Sequence, residues 1–399
     1  MINSVSQHAV ATSEGWSVSV VERLLAYLHD QQEPMADLLR RLALAESPSL
    51  EGAAQQPVFD LLAERLAALD FAVQRVPGRL TGGVLYARPQ ARQRGAPVQL
   101  LLCHGDTVWP AGALATMPVT RDGNRLSGPG VFDMKGGLVL MVYALQALHV
   151  LGLQPSVTPV VLVNSDEEIG SPESTRHIRR LAQAAARVFV LEPGFGPQGH
   201  LKTARKGVLR FDVFVQGKAA HAGLAPQEGV SAILALAHLI QQLHALNDWE
   251  HGISVNVGQI SGGTRPNVVA HEARAVVDVR VPTVVEADRI SAALLGLQAA
   301  LPGAQVMVEQ VSSSLPLEPT PRNQRLWQQA QTVGQLLGLE LEAVAVGGAS
   351  DGNTTSQFTA TLDGLGPIGD GAHAAHEYVL VDRLPERAAL LALLLLSEM

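Results

Sequence analysis

The stretch VVLVNSDEEIGS, residues 160–171, joins a run of apolar, strand-forming residues directly to three adjacent carboxylates, Asp166, Glu167 and Glu168. A buried strand that ends this way is costly, because a desolvated carboxylate is unfavourable by several kcal/mol unless a positive charge answers it. Two readings follow: a solvated acidic loop, or a strong cation held at the strand end. Which one holds depends on what ends the other strands.

A second run has the same shape. VQLLLCHGDTV (98–108) is apolar until it breaks into His104 and Asp106, as TPVVLVNSDEE (158–168) is until Asp166. Near-continuous apolar runs are the mark of strands covered on both faces, as in mostly parallel sheets. GGLVLMVYALQALHVLG (136–152) reads as a buried helix between them. In open α/β sheets, ligands bind outside the carboxyl ends of the strands, which is where both polar clusters fall. Helical periodicity also runs from Val20 to Leu69, broken by the loop ESPSLEG.

From Gly207 the texture changes. GVLRFDVFVQG, ISVNVGQISGG, HEARAVVDVRV and AQVMVEQVSS read as strands, and GVSAILALAHLIQQLHAL and EADRISAALLGLQAAL as helices. Their order, β-α-β-β-α-β, is that of a ferredoxin-like unit. The Pro-rich SSLPLEPTPRN follows, and α/β texture resumes at Gln324. The expected fold is α/β: a mostly parallel sheet flanked by helices over 1–206 and 312–399, interrupted by an α+β insertion over 207–311.

Composition narrows the class. With 47% hydrophobic and only 17% charged residues, the 399-residue chain can fill two cores and carries no long charge run. A net charge of −8 argues against nucleic acid and anionic membrane as partners. The single cysteine, Cys103 in VQLLLCHGD, reads as a buried, inert thiol and fits a reducing compartment. MINSVSQHAVATSEGW lacks a basic stretch followed by an apolar one, so no secretory leader is expected. The apolar run from Ala388 to Leu396 falls short of the ~20 residues that span a bilayer and reads as a buried final helix. A soluble, cytoplasmic protein is expected.

The candidate ligands, in order, are His104 and Asp106 in CHGDTV, Asp133 in GPGVFDMKGG, Glu167 and Glu168, Glu192 in VFVLEPG, and His373 in GDGAHAAHEYV. Each alone has an ordinary structural reading, such as a helix cap or a surface residue. Their coincidence at the ends of apolar runs suits two borderline metal ions such as zinc, bound by imidazole and carboxylate with no thiolate. Co²⁺ and Mn²⁺ suit the same donors. A carboxylate bridging ions ~3.5–4 Å apart leaves room for a shared hydroxide.

HGDTV, FDMKGG and DEEIGS, in this order and spacing, resemble the zinc-dependent carboxypeptidase and amidohydrolase family. That family includes bacterial glutamate carboxypeptidase, aminoacylase, acetylornithine deacetylase and succinyl-diaminopimelate desuccinylase. The resemblance implies a catalytic domain with two Zn²⁺ per subunit and an inserted lid that also dimerises. It implies that His104, Asp133 and Glu192 hold one metal, and Asp133, Glu168 and His373 the other. Asp106 would orient His104, and Glu167 would be the general base. GAHAAHE offers both His373 and His376. The family's Glu four residues after the ligand, here Glu377 followed by Tyr378, points to His373, with His376 the alternative.

The resemblance extends to the insertion. His221 in GKAAHAG resembles a group that stabilises the oxyanion in the partner subunit's site. Asn267 in GGTRPNVV resembles a substrate-binding amide, and Arg280 in VVDVRVP a group that pairs with a substrate carboxylate. Gly348 and Ser350 in VGGASDGN resemble a loop presenting backbone N–H to that carboxylate. Lys202, Arg205 and Lys206 in KTARKG match no family role and stay open between substrate contact and solvated charge. The implied activity is hydrolysis of a small peptide or N-acyl amino acid, with release of a C-terminal amino acid such as glutamate. The alternative is a deacylase of N-acetyl or N-succinyl amino acids. A catalytically silent dimeric scaffold would have lost a ligand or the base, and every position is filled. No GxSxG motif supports a serine nucleophile.

Overall fold

The computed structural model describes residues 18–92 and 95–398, so the segment read for a secretory leader lies outside the described residues. The chain divides into two compact units. One comprises Met1–Leu201, Arg325–Ala343 and Thr359–Met399, the other Lys202–Gln324 and Val344–Phe358. Sequence texture set the insertion at 207–311. The segment 344–358 belongs to the second unit because Asn353 Nδ2 donates to the carbonyls of Lys206 (3.1 Å) and Leu315 (2.9 Å).

The first unit is built on a six-stranded mixed sheet in the order Phe71–Val76, Val84–Pro89, Thr158–Asn164, Val98–His104, Ala185–Val190 and Ala360–Leu362. The first two strands pair antiparallel to each other, and Val84–Pro89 runs antiparallel to Thr158–Asn164. The other three pairings are parallel. Val98–His104 is buried at every residue, as its unbroken apolar run requires. The register fixes the height of the strand ends. His104 pairs with Asn164 and Leu102 with Val190. His104, the turn after Asn164 and Glu192 therefore emerge at one level.

Two apolar helices pack in this unit's core. Gly136–Val150 is buried on nearly all sides, and Leu384–Leu396 is buried at every residue but Glu386, so the terminal apolar run is core rather than surface. The stretch Val131–Val150 is long and apolar enough to cross a membrane by length and composition, and it is mostly buried within the protein.

The second unit is the expected β-α-β-β-α-β fold. Its sheet runs Ser254–Gly262, Glu272–Val281, Gly207–Gln216, Gln305–Ser314, antiparallel throughout. Alternate residues of Gly207–Gln216 and Glu272–Val281 are buried, which leaves one face apolar and one polar. Helices Ala232–His244 and Val284–Leu295 share a core with the apolar face and start at side-chain caps. Ser231 Oγ accepts from Leu234 N and Thr283 Oγ1 from Glu286 N, both at 3.2 Å.

Gly137 shows how tightly the first unit is packed. A Cβ there would lie 2.2 Å from the Leu191 carbonyl oxygen, next to Glu192. Helix propensity alone would favour alanine at this position by roughly 1 kcal/mol. The overlap outweighs that gain, so Gly137→Ala is expected to destabilise the protein by about 1–3 kcal/mol. Thermal unfolding checks this, and an unchanged or raised midpoint would contradict it.

Candidate metal centre

The strand ends converge. His104 Nε2 lies 3.2 Å from Asp133 Oδ1 and 3.4 Å from Glu192 Oε1. On the other side, His373 Nε2 lies 3.0 Å from Glu168 Oε2 and 3.5 Å from Asp133 Oδ2. Asp133 thus presents one oxygen to each imidazole. Ligand atoms of His104, Glu167 and Glu192 lie within 4.8 Å of one another, as do those of His104, Asp133 and Glu168. His373 adopts φ 60°, a left-handed conformation that costs a residue with a Cβ about 1–2 kcal/mol. That backbone aims the imidazole at Glu168, although His373, like His376, is exposed.

Two buried acids hold this arrangement from behind. Asp106, fully buried, binds both motif turns to each other. Its Oδ1 lies 3.4 Å from His104 Nδ1 and accepts from Glu167 N at 3.2 Å, while its Oδ2 accepts from Glu168 N at 3.2 Å and from Ser49 Oγ at 2.7 Å. His104 therefore offers its Nε2 toward Asp133 and Glu192. Glu377 does the same for the Asp133 turn. Its carboxylate accepts from the backbone N–H of Gly130 (2.8 Å), Phe132 and Asp133 (both 2.9 Å), and from Trp109 Nε1 (3.1 Å). The position of Glu377 in the motif was visible in the sequence. Its grip on a turn more than 240 residues away was not.

Asp166, the first acid of the triplet, faces away from this cluster. Its Oδ2 accepts from Glu173 N (2.7 Å) and Ser174 N (3.1 Å) and so closes the turn before helix Thr175–Ala184.

The protonation equilibria express the crowding of charge. Burial would lower the His104 pKa, but hydrogen bonds to Asp106, Asp133 and Glu192 raise it well above the usual imidazole value. The Glu168 hydrogen bond pushes His373 up to about 9. Burial pushes Glu168 up, against the pull of His373. Glu168 Oε1 is buried and accepts no hydrogen bond. Imidazoles, carboxylates and a lone pair with no partner fit a divalent cation bound through nitrogen and oxygen.

The residues assigned to the second unit sit in defined surroundings of their own. His221 Nδ1 accepts from Gly223 N (3.1 Å) and Leu224 N (3.2 Å), which leaves Nε2 as the ring's donor. Asn267 uses its backbone carbonyl to accept from Ala222 N at 3.0 Å. Arg280 forms a two-pronged pair with Asp278 on the same strand, at 2.7 and 3.1 Å. Ser350 caps helix Asp351–Thr355, and its N–H donates to Asn353 Oδ1 at 3.0 Å. Arg205, left open by the sequence, is buried and donates to the carbonyls of Gly348 (3.1 Å) and Ala349 (3.4 Å). It braces the turn that carries Gly348 and Ser350.

A strand-end cluster of imidazoles and carboxylates on a mixed α/β sheet, with a ferredoxin-like second unit, defines a metal-dependent hydrolase. The chain belongs to peptidase family M20/M25/M40, whose sequence model matches residues 100–397. It is 28% identical over 382 residues to carboxypeptidase G2 of Pseudomonas sp. (strain RS-16), covering 92% of this chain and 90% of that protein. To succinyl-diaminopimelate desuccinylase of Xanthomonas campestris pv. campestris it is 27% identical over 350 residues, 83% of this chain and 90% of that one. The fold resembles aminopeptidase PepT of Bacillus cereus, with a TM-score of 0.73 at 19% identity over 94% of this chain and 98% of the other. It also resembles a dinuclear metal binding peptidase of Bacillus subtilis, with a TM-score of 0.66 at 15% identity over 93% and 98%.

A proton on either imidazole competes with a cation for the same nitrogen. Because both imidazoles are raised, His373 to about 9, they hold protons at neutral pH before a cation arrives. Loading at about pH 7.5 should therefore release one to two protons per chain, with affinity falling as pH falls. Calorimetric titration in buffers of different ionisation enthalpy counts these protons. Release of none would contradict the protonated resting state.

Proposed function

We propose that the chain is a dinuclear zinc carboxypeptidase that releases a C-terminal amino acid, glutamate foremost, from a small peptide or N-acyl compound. The observation that supports two ions is the division of Asp133, one oxygen toward His104 and Glu192, the other toward His373 and Glu168. On this reading His104, Asp133 and Glu192 hold one ion, and Asp133, Glu168 and His373 the other. Bound there, the ions would polarise the scissile carbonyl and lower the pKa of water toward neutrality.

The chain's own residues do the rest. Glu167 stands in the turn after strand Thr158–Asn164, its N–H fixed by Asp106 and its carboxylate near the His104–Glu192 side. It takes the proton from the attacking water and returns it to the leaving nitrogen. No side chain is acylated. Asp106 keeps the His104 ring in one orientation and Glu377 keeps the Asp133 turn in place, so the donors need little rearrangement on loading. A homodimer belongs to the same proposal. The Nε2–H of His221 would then serve the oxyanion in the neighbouring chain, and Asn267, Arg280, Gly348 and Ser350 would recognise the substrate carboxylate.

The relative named carboxypeptidase G2 supports the carboxypeptidase branch, since it aligns with nearly the whole chain. The desuccinylase likeness favours a second reading, removal of an acyl group from an amino acid. Turnover of N-benzoylglutamate and N-acetylornithine by the zinc-loaded protein, measured side by side, separates them. We expect preferential release of glutamate, and preference for the acetylated substrate would move the protein to the deacylase branch. Glu167→Gln should lower turnover about 10²–10⁴-fold while leaving metal content unchanged. Full turnover in that variant would rule out Glu167 as the base.

A further inference from the structure

Arg387 lies in the first turn of the terminal helix Leu384–Leu396 and is fully buried. A guanidinium out of water is expensive and is usually met by a carboxylate. Here its partners are three carbonyl oxygens. Nε donates to Gly366 O at 2.9 Å, Nη1 to Gly199 O at 2.8 Å and Nη2 to Gly364 O at 2.6 Å. An apolar side chain would fill the space without the desolvation cost, but it would leave these oxygens converging on one point with no donor.

The carbonyls come from two segments, Gly199 and 364–366, and the second is stitched to the stretch that carries Glu192. Gly366 N donates to Glu192 O at 2.8 Å, Gly194 N to Pro367 O at 2.9 Å, and Leu365 N to Val190 O at 3.3 Å. The approach is close enough to depend on glycine. A Cβ at Gly366 would lie 2.3 Å from Leu191 O, and one at Gly199 would lie 2.7 Å from the Ile368 side chain. Arg387 thus reaches the Glu192 carbonyl through two hydrogen bonds, by way of Gly366, and the Glu192 carboxylate faces His104. His373, further along the second segment, has separate anchors. Strand Gly369–Asp370 pairs with Tyr378–Leu380, and Glu168 faces the imidazole.

We infer that Arg387 is a positioning residue for Glu192: its guanidinium clamps the 364–366 and 199 carbonyls and so sets the donor geometry on the His104–Glu192 side of the centre. The inference rests on the two-ion reading proposed above and extends it to a residue that touches neither ion nor substrate. It carries a selective consequence. Loosening the clamp weakens the ion on the His104–Asp133–Glu192 side and spares the one on the Asp133–Glu168–His373 side.

Titration of the metal-free protein with Co²⁺, followed by visible absorption and by competition with a chelator, tests this. The variants are Arg387→Lys, which keeps the charge but presents a single donor point, and Arg387→Gln, which is neutral and keeps two N–H donors. Circular dichroism and thermal unfolding of the metal-free proteins identify a variant that fails to fold, and the other then carries the test. The wild type should take up two ions. Each folded variant should bind one with unchanged affinity and the second at least tenfold more weakly, with an altered absorption band for the second equivalent. Two ions bound as in the wild type, or both weakened in parallel, would overturn the inference and leave Arg387 a general stabiliser of the fold. Fewer than two ions on the wild type would instead overturn the two-ion reading itself.

Discussion

The carboxylate of Asp133 faces two imidazoles at once, 3.2 Å from His104 through Oδ1 and 3.5 Å from His373 through Oδ2. Around it stand Glu168 and Glu192, each almost removed from water, and Asp106, removed altogether. Like charges this close repel, and burial disfavours ionising Glu168. Without a cation the two histidines supply the positive charge, which is why both are held protonated. The folded chain therefore keeps the centre in a state that a divalent cation can enter by displacing protons.

Keeping such a cluster in place is the task of the scaffold. The parallel register brings the ends of Val98–His104 and Ala185–Val190 to one level, so His104 and Glu192 emerge at the same end of the sheet. Asp106 then ties the turn after Thr158–Asn164 to the turn after His104, and Glu377 ties the Asp133 turn to the segment that carries His373. Each of these ties is a buried carboxylate accepting N–H donors, a strong kind of hydrogen bond that leaves little freedom. Gly136 and Gly137 complete the packing, where any side chain would strike Pro367 or the Leu191 carbonyl.

Much of this was legible in the sequence because it is local. An apolar run that breaks into His-Gly-Asp or Asp-Glu-Glu states both a covered strand and a polar cluster at its end, and the β-α-β-β-α-β order can be read from alternating periodicities. The less visible parts are long-range or depend on backbone conformation. Nothing near Asp166 distinguishes it from Glu167 and Glu168, yet it turns the other way to close the turn before helix Thr175–Ala184. Arg205 looks like one of three surface cations in KTARKG but is buried beneath the Gly348 turn. Arg387 stands in an apolar helix and binds carbonyls whose donors-to-be no spacing rule reveals. The second unit's limits also differ from the texture change, because 344–358 joins it through Asn353 rather than through any local pattern.

The most direct measurement is a metal titration of Asp133→Asn against the wild type, with circular dichroism as the check on folding. The amide keeps the shape of the side chain but replaces one oxygen with a donor that cannot ligate. If Asp133 bridges the two positions, both ions weaken together in the folded variant. One ion retained at wild-type affinity would contradict the bridge and leave two independent sites, or only one.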